Sequence, residues 1–297
     1  MKSYVSLFKL HRDQPTQDVF AHFYPITAHE SAQPDYDAPF KNIAQSTVDG
    51  RDAWEFHQAR FKEKYTAAVP KLKNYLNYTF VRLVSLEKSC PGCHFRYTED
   101  QEWICFNTGL QNSHAVDLLT TFQRYKPKAG GDQVVRPDWV YKGCFASNDK
   151  QYRHHFGSQV PEIAWYSRNS KDFVFDTSFQ LDKDSFDHLF ERAKERSGLL
   201  NVSDEVVRNY LRGAIENLVP KIRRNYKVAI PVYYVEEQRM QLLLPFVSAS
   251  NSNDVSCFLV DRDDDNNSYH LKTIYDLDQA YFSARLITRP DREWLDP

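Results

Sequence analysis

Lys221, Arg223, Arg224 and Lys227 lie within seven residues, with Asn225 and Tyr226 between them and Tyr233-Tyr234 shortly after. Cations interleaved with amides and tyrosines suit single-stranded nucleic acid or a nucleotide. Arginine and lysine pair with phosphate, while bases stack on rings at about 1–3 kcal/mol each. The structural alternative is that these cations end a helix and complement its dipole, at ~0.3–1 kcal/mol each. A second constellation is Tyr275–Arg285 with Arg289 beyond it. On a helix, Asp278, Tyr281 and Arg285 share one face, where Asp278 can hold Arg285 as a rigid fork for phosphate or act as a general base. Asp276 and Asp278 together form the alternative of a divalent-cation site, and Asp276 as a plain helix cap is the structural one.

Three further groups carry weaker signals. Asn107-Thr-Gly109 at a strand end either orients a ligand or closes the strand with local backbone hydrogen bonds. Cys90-Pro-Gly-Cys93 has the spacing of half a zinc knuckle. A structural zinc takes four ligands, and Cys105, Cys144 and Cys257 stand alone, so Cys90 and Cys93 are weak metal candidates and zinc is not expected. His154-His155 lacks a carboxylate motif beside it and reads as a surface or cap pair. Asp263–Asn267 lacks the glycine and the terminal glutamate of a calcium loop and reads as a turn. There is no phosphate-binding glycine loop, dinucleotide fingerprint or nucleophile elbow.

The elements that must position these residues follow from periodicity. Residues 1–50 carry Pro15, Pro25, Pro34 and Pro39 and read as an irregular arm. A helix is expected from Asp52, and a second from Pro70 through Leu72, Leu76, Phe80 and Leu83. Phe95–Tyr97 and Trp103–Phe106 read as a hairpin around 98–101, and a helix is expected through about His114–Tyr125. Short strands are expected at 139–145 and 173–176. A helix follows from Asp182 as N-cap to about 197, and another from Ser203 as N-cap to Arg224, with a kink at Pro220. Val228–Val235, Met240–Val247, Val255–Asp261 and Leu271–Ile274 read as four strands with short turns, an antiparallel meander that can curl toward a barrel. A last helix covers 276–287. Strands and helices are segregated, so the fold class is α+β: a helical N-terminal half with a hairpin, packed on a C-terminal curved antiparallel meander closed by a final helix. Residues 51–297 read as one domain, with subdivision near residue 200 as the alternative.

Composition sets the outer limits. The 297 residues are 41% hydrophobic and 26% charged, enough for an ordinary core and against disorder. Net charge is −2, so no global basic field draws the chain to nucleic acid, and any such site is a local patch. There is no apolar run of the ~20 residues that span a bilayer, and no secretory leader is read at the start. Five cysteines in so long a chain fit reduced thiols, and the expected location is cytoplasmic.

The chain resembles a bacterial family of uncharacterised proteins that occur alone or fused to LOTUS-type (OST-HTH) RNA-binding winged-helix modules. The likeness rests on Asn74–Phe80, Phe106–Leu110, and Ala164-Trp-Tyr166 with Asp176. It is strongest over Asn225–Tyr234, Gln241–Pro245, Asp276–Arg285 and Arg289–Leu295. It covers roughly residues 52–297 and implies company with RNA-binding modules. Phe282 and Ser283 depart from the two asparagines usual there, which places an amide contact in doubt.

The expected function is binding of single-stranded RNA or a nucleotide in bacterial RNA metabolism or defence. Arg223, Lys227, Arg285 and Arg289 would hold phosphate; Tyr226, Tyr233 and Tyr234 would stack; Asn107 and Asn225 would read polar edges. If the chain is an enzyme, it would cleave a phosphodiester with Asp278, Tyr281 and Arg285. No cofactor is expected. Two alternatives stand beside this: a small-molecule hydrolase or transferase using the same cluster, and a protein-interaction module without catalysis.

Overall fold

The structure is a computed structural model that describes residues 4–8, 19–23, 35, 37–56, 67–126, 137–182, 186–196, 202–247 and 255–287. The chain forms two compact units, Met1–Trp165 and Tyr166–Pro297. Each is built around a five-stranded mixed sheet, which gives the α+β class expected from the sequence.

In the first unit, β1 (Ala21–His22), β2 (Phe95–Tyr97), β3 (Trp103–Gln111), β4 (Asp117–Arg124) and β5 (Trp139–Ala146) lie in the order β1-β5-β4-β3-β2. All pairings are antiparallel except the parallel β1–β5 pair. Helices α1 (Ala38–Ser46), α2 (Pro70–Ser89) and α3 (Lys150–Phe156) accompany it. Pro70 opens α2 as the sequence indicates, where its missing N–H costs no bond. The stripe Leu72, Leu76, Phe80, Leu83 is fully buried. The Phe80 ring lies 4.8 Å from Phe20, 5.8 Å from Phe95 and 5.7 Å from Phe106. The N-terminal segment thus supplies β1, α1 and core rings such as Phe20.

The helix expected over 114–125 is instead β4. Phe122 follows Leu119 by three residues and Leu118 by four, the spacing of a helix face, yet Leu118, Leu119, Thr120, Thr121 and Phe122 are all buried. A strand enclosed on both faces is apolar without alternation, and periodicity alone does not separate it from a helix. A turn at 112–116 enters it, with Asn112 Oδ1 accepting from His114 N at 2.9 Å and Val116 N at 3.1 Å. The helix expected from Asp52 begins as a 3-10 turn, Asp52–Trp54, and its continuation lies outside the described residues.

In the second unit, β6 (Gln180–Asp182), β7 (Ile230–Tyr234), β8 (Arg239–Val247), β9 (Val255–Asp263) and β10 (Ser268–Asp276) lie in the order β6-β10-β9-β8-β7. The expected meander is β7 to β10, antiparallel throughout. The sheet is open, with β6 parallel to β10 at its edge, rather than a barrel. Alternation sorts the sheet into two faces. Leu242, Leu244, Phe246, Phe258, Val260, Tyr269, Leu271 and Ile274 meet the buried faces of α4 (Phe186–Arg196) and α5 (Asp204–Arg224). Along α5 that face is Val207, Leu211, Ile215, Leu218 and Ile222, a 4-4-3-4 spacing. Ile230, Val232, Leu243, Cys257 and Leu259 meet Ala280 and Ala284 of α6 (Leu277–Ala284). A bulge between Leu271 and Thr273 lets Leu271 and Ile274 share a face.

Two expectations near residue 180 are corrected. Residues 170–173 form a 3-10 turn in place of the strand at 173–176, and Phe175 stacks on Tyr269 at 4.2 Å. Asp182 is no helix cap. It ends β6 and pairs with His270, and the helix starts at Phe186. Ser203 occupies the N-cap of α5 without a side-chain cap bond, and α5 continues through Pro220 to Arg224. Among the described residues no helix is long and apolar enough to cross a membrane.

Candidate nucleic-acid interface

The cationic turn forms where α5 ends. Basic residues Lys221, Arg223 and Arg224 fill the last helical turn, and Asn225 leaves the helix in extended conformation. Asn225 Oδ1 accepts from Lys227 N at 3.1 Å and so caps the 3-10 turn Tyr226–Val228, which leads into β7. Its amide oxygen is engaged in shaping the turn. The turn displays its side chains outward: Lys221, Arg223, Arg224 and Lys227 are exposed, and Tyr226 is 65% exposed, the most of any described tyrosine. Arg223 Nη2 donates to Thr177 O at 3.2 Å, which restrains its guanidinium at the surface.

Neither strand tyrosine joins Tyr226. Tyr233 is buried and packs edge-on against Tyr166 at 4.8 Å. Successive strand residues point to opposite faces, so Tyr234 lies on the face of Ile230 and Val232. It stands at the far end of β7, roughly 13 Å along the strand from Ile230. Its hydroxyl donates to Glu236 at 2.6 Å, and that bond, with burial, pushes the phenol up to about 12.

Helix α6 packs on the Ile230/Val232 face. Asp276 is its N-cap, with Oδ1 accepting from Gln279 N at 2.9 Å, which realises the capping alternative. Asp278 is 2% exposed, whereas Tyr281 and Arg285 are half-buried and Arg285 N closes the helix on Tyr281 O. The register brings the start of α6, with Asp276, to the cationic turn's end of the sheet. Ile230 pairs with Leu243, Phe246 with Ser256, and Ser256 with Asp276, so the start of β7 and the start of α6 share one end. Lys221 is close enough to Cys257 to oppose the strong upward push that burial and Asp276 give its thiol. Arg289 lies outside the described residues.

Asn107 belongs to the first unit, and its neighbours account for it. Its Nδ2 donates to Asp117 Oδ2 at 3.0 Å and Pro161 O at 3.3 Å, and its Oδ1 accepts from Gly109 N at 3.0 Å. Gly109 sits at φ +74 within the β3–β4 irregularity, and a side chain there would meet Tyr75 Oη at 3.0 Å. The residue is buried and closes a bulge.

Cys90 and Cys93 are joined as a disulfide, which corrects the expectation of reduced thiols for that pair and occupies both candidate ligands. Among the described residues no group of three or more His, Cys, Asp or Glu is placed to hold a metal ion. His155 stacks on Trp103 at 3.9 Å, and burial lowers its pKa. Asp263 accepts from Asp265 N, Asn266 N and Asn266 Nδ2, as expected for a turn.

Sequence reasoning missed one polar network. Asp261 is buried on β9 and accepts from Gln241 Nε2 at 2.6 Å, with Arg239 Nη2 at 2.5 Å and Lys272 Nζ at 3.2 Å from its other oxygen. The signal was present: an aspartate continues the inward alternation of Cys257 and Leu259. Beside it His270 lies between Asp182 (2.8 Å) and Asp263 (2.9 Å), which raise its pKa.

The chain is therefore an α+β protein of two sheet-based units, with an exposed cation–tyrosine turn in the second. Residues 45–294 match the model of a family described as a domain of unknown function (DUF3825), and the chain belongs to that family. No curated protein and no solved structure is matched by it.

Proposed function

We propose that the protein binds single-stranded RNA, or a nucleotide, at the turn between α5 and β7. The observation that supports this most is the outward display of Tyr226 among Lys221, Arg223, Arg224 and Lys227. Phosphates pair with the cations while a base stacks on the tyrosine, each at sequence-tolerant surfaces. The role is narrower than the sequence suggested: Tyr226 stacks, and Tyr233, Tyr234 and Asn107 serve the fold. The resemblance to proteins carrying LOTUS-type RNA-binding modules agrees with RNA as the ligand, as an association rather than a mechanism. Arg285 extends the phosphate-binding surface from α6. The burial of Asp278 favours a positioning role over that of a base.

The test is titration of a labelled single-stranded RNA, followed by anisotropy, with a mononucleotide as competitor. Saturable binding weakened by Tyr226→Ala supports the reading; absence of binding at micromolar protein removes RNA. Incubating the bound RNA with the wild type and Asp278→Asn then separates binding from cleavage. A product seen with the wild type and lost in the variant assigns Asp278 a part in the reaction.

One observation favours a small-molecule ligand, though at a place other than the cluster the sequence offered for it. The first unit has a cavity of about 560 Å3 between α1 and β5, lined by Asn42, Ser46, Tyr141, Lys142 and Cys144 among others. Ligand pockets fall in that size range. A ligand there would bind with little salt dependence and with indifference to Tyr226→Ala.

A further inference from the structure

Cys90-Pro-Gly-Cys93 is built as more than a tight turn. Cys90 caps the C-terminus of α2, its N–H donating to Leu86 O at 3.1 Å, and Cys93 N returns to Cys90 O at 3.2 Å. Gly92 takes φ +81, which suits glycine and lets the chain reverse. The buried Glu87 carboxylate, one turn back on the helix, accepts from Gly92 N and from His94 N at 2.9 Å. On the other side Glu162 N donates to Cys93 O at 2.9 Å, and His94, itself buried, places Nδ1 3.3 Å from Glu162 O. The backbone is thus fixed from both sides without help from the sulfurs. The Cα atoms stay 5.7 Å apart, within the separation a disulfide spans. Opening the bond therefore requires no rearrangement of the turn. Cys90 is also exposed and Cys93 half-buried, so an attacking thiol can reach the bond. These features together describe an accessible, preorganised pair.

We propose that Cys90 and Cys93 form a reversible two-electron thiol–disulfide site whose exchange partner is a dithiol. The thiolate of the dithiol attacks the exposed Cys90 Sγ and the Cys90–Cys93 bond breaks. Cys93 leaves as a thiolate and takes a proton from solvent. The second sulfur of the dithiol, deprotonated, then attacks its own sulfur in the mixed disulfide, and Cys90 is released and protonated. The pair gains two electrons and two protons, and the dithiol becomes a disulfide.

The choice of a dithiol follows from charge. The pair sits at the negative end of the α2 dipole with the Glu87 carboxylate beside it. Pairs at helix N-termini enjoy the opposite field, which favours the thiolate and makes their disulfides easy to reduce. Here the reduced form lacks that support, so the bond resists a monothiol, and only a partner that closes its own ring drives the reaction.

The test uses the full chain. It is equilibrated in reduced and oxidised dithiothreitol at several ratios and, separately, in a mostly reduced glutathione mixture. The samples are then quenched in acid, freed of the small thiols, brought to mildly alkaline pH in denaturant and alkylated with iodoacetamide, and the peptide containing 90–93 is weighed. Cys105 and Cys257 are buried and Cys144 half-buried, and burial pushes all three thiols up, so under native labelling the pair is read against a quiet background. The proposal expects two alkyl groups in the reduced dithiol, none in the oxidised, and a pair still bridged in glutathione. It also expects native alkylation of the reduced pair to rise with pH with a midpoint above the ordinary thiol value of about 8.5. Three results overturn it: thiols free in every buffer, a pair opened by glutathione alone, or release of a zinc equivalent on thiol modification, which would make Cys90 and Cys93 metal ligands.

Discussion

Two polar clusters looked alike in the sequence, an asparagine beside small or aromatic neighbours at an element boundary, and they differ in the folded chain. Asn107 in the first unit is 1% exposed, and both ends of its amide are committed to Asp117, Pro161 and Gly109. The Arg223–Lys227 turn in the second unit commits the Asn225 amide oxygen to its own backbone and one Arg223 nitrogen to Thr177 O, and it turns its cations and Tyr226 outward. A buried, saturated cluster has no capacity left for a ligand, whereas an exposed one held in shape by its cap does. What separates scaffold from surface is burial and the count of committed donors and acceptors, and neither is visible in residue type.

That contrast makes sharp demands on variants. The largest effect is expected from Asn107→Ala, which leaves Asp117, the Pro161 carbonyl and the Gly109 amide without their partner. The expected loss is about 3 kcal/mol, since stranded buried polar groups cost roughly 1–3 kcal/mol each. Thermal unfolding should show it, with RNA affinity of the folded protein unchanged. Arg223→Ala with Lys227→Ala should do the reverse: about 2 kcal/mol of RNA affinity lost at low salt, or some 30-fold, and stability within about 0.5 kcal/mol. Tyr226→Ala should cost about 1–2 kcal/mol of affinity through the lost stack, read by anisotropy. Asp276→Ala removes the α6 cap and should lower stability by about 1 kcal/mol in a denaturant titration.

The smallest expected effect is the pH dependence set by His270. Hydrogen bonds donated by the protonated ring to Asp263 and Asp182 raise its pKa, so its contribution to stability is fully present below the unfolded value of about 6.5 and is lost as pH rises through the folded value. Asp263 is lowered, chiefly by Asn266 and His270, so its share is present above the unfolded value and lost as pH falls. The denaturant midpoint should therefore fall modestly between pH 6 and pH 8.5, and His270→Gln should flatten that slope. A slope of the opposite sign would disprove the clamp.

Much of the fold was legible because its signals are local. The 4-4-3 stripe of α2, the stripe of α5 and the short turns of β7–β10 each occupy a window the sequence exposes directly. β4 was not, because enclosure on both faces erases the alternation that marks a strand. β1 and β6 were not, because strands of two and three residues owe their existence to partners far along the chain, Trp139-Val140 and Ser268–His270. For the candidate site, the cationic run was legible, but the burial of Tyr233 and the commitment of Asn107 depend on tertiary neighbours. The Asp261 network was legible in principle, as an acid at a core-facing strand position.

Phosphate binding at the α5–β7 turn, as proposed above, is what the other assignments in the second unit depend on. The most direct measurement is the salt dependence of single-stranded RNA affinity for the wild type and for Arg223→Ala/Lys227→Ala. A steep linear fall of log affinity with log salt is expected for the wild type, shallower in the variant by about 1.4, from roughly 0.7 per phosphate contact on a single strand. Equal slopes for the two proteins, or no binding by either, would contradict it.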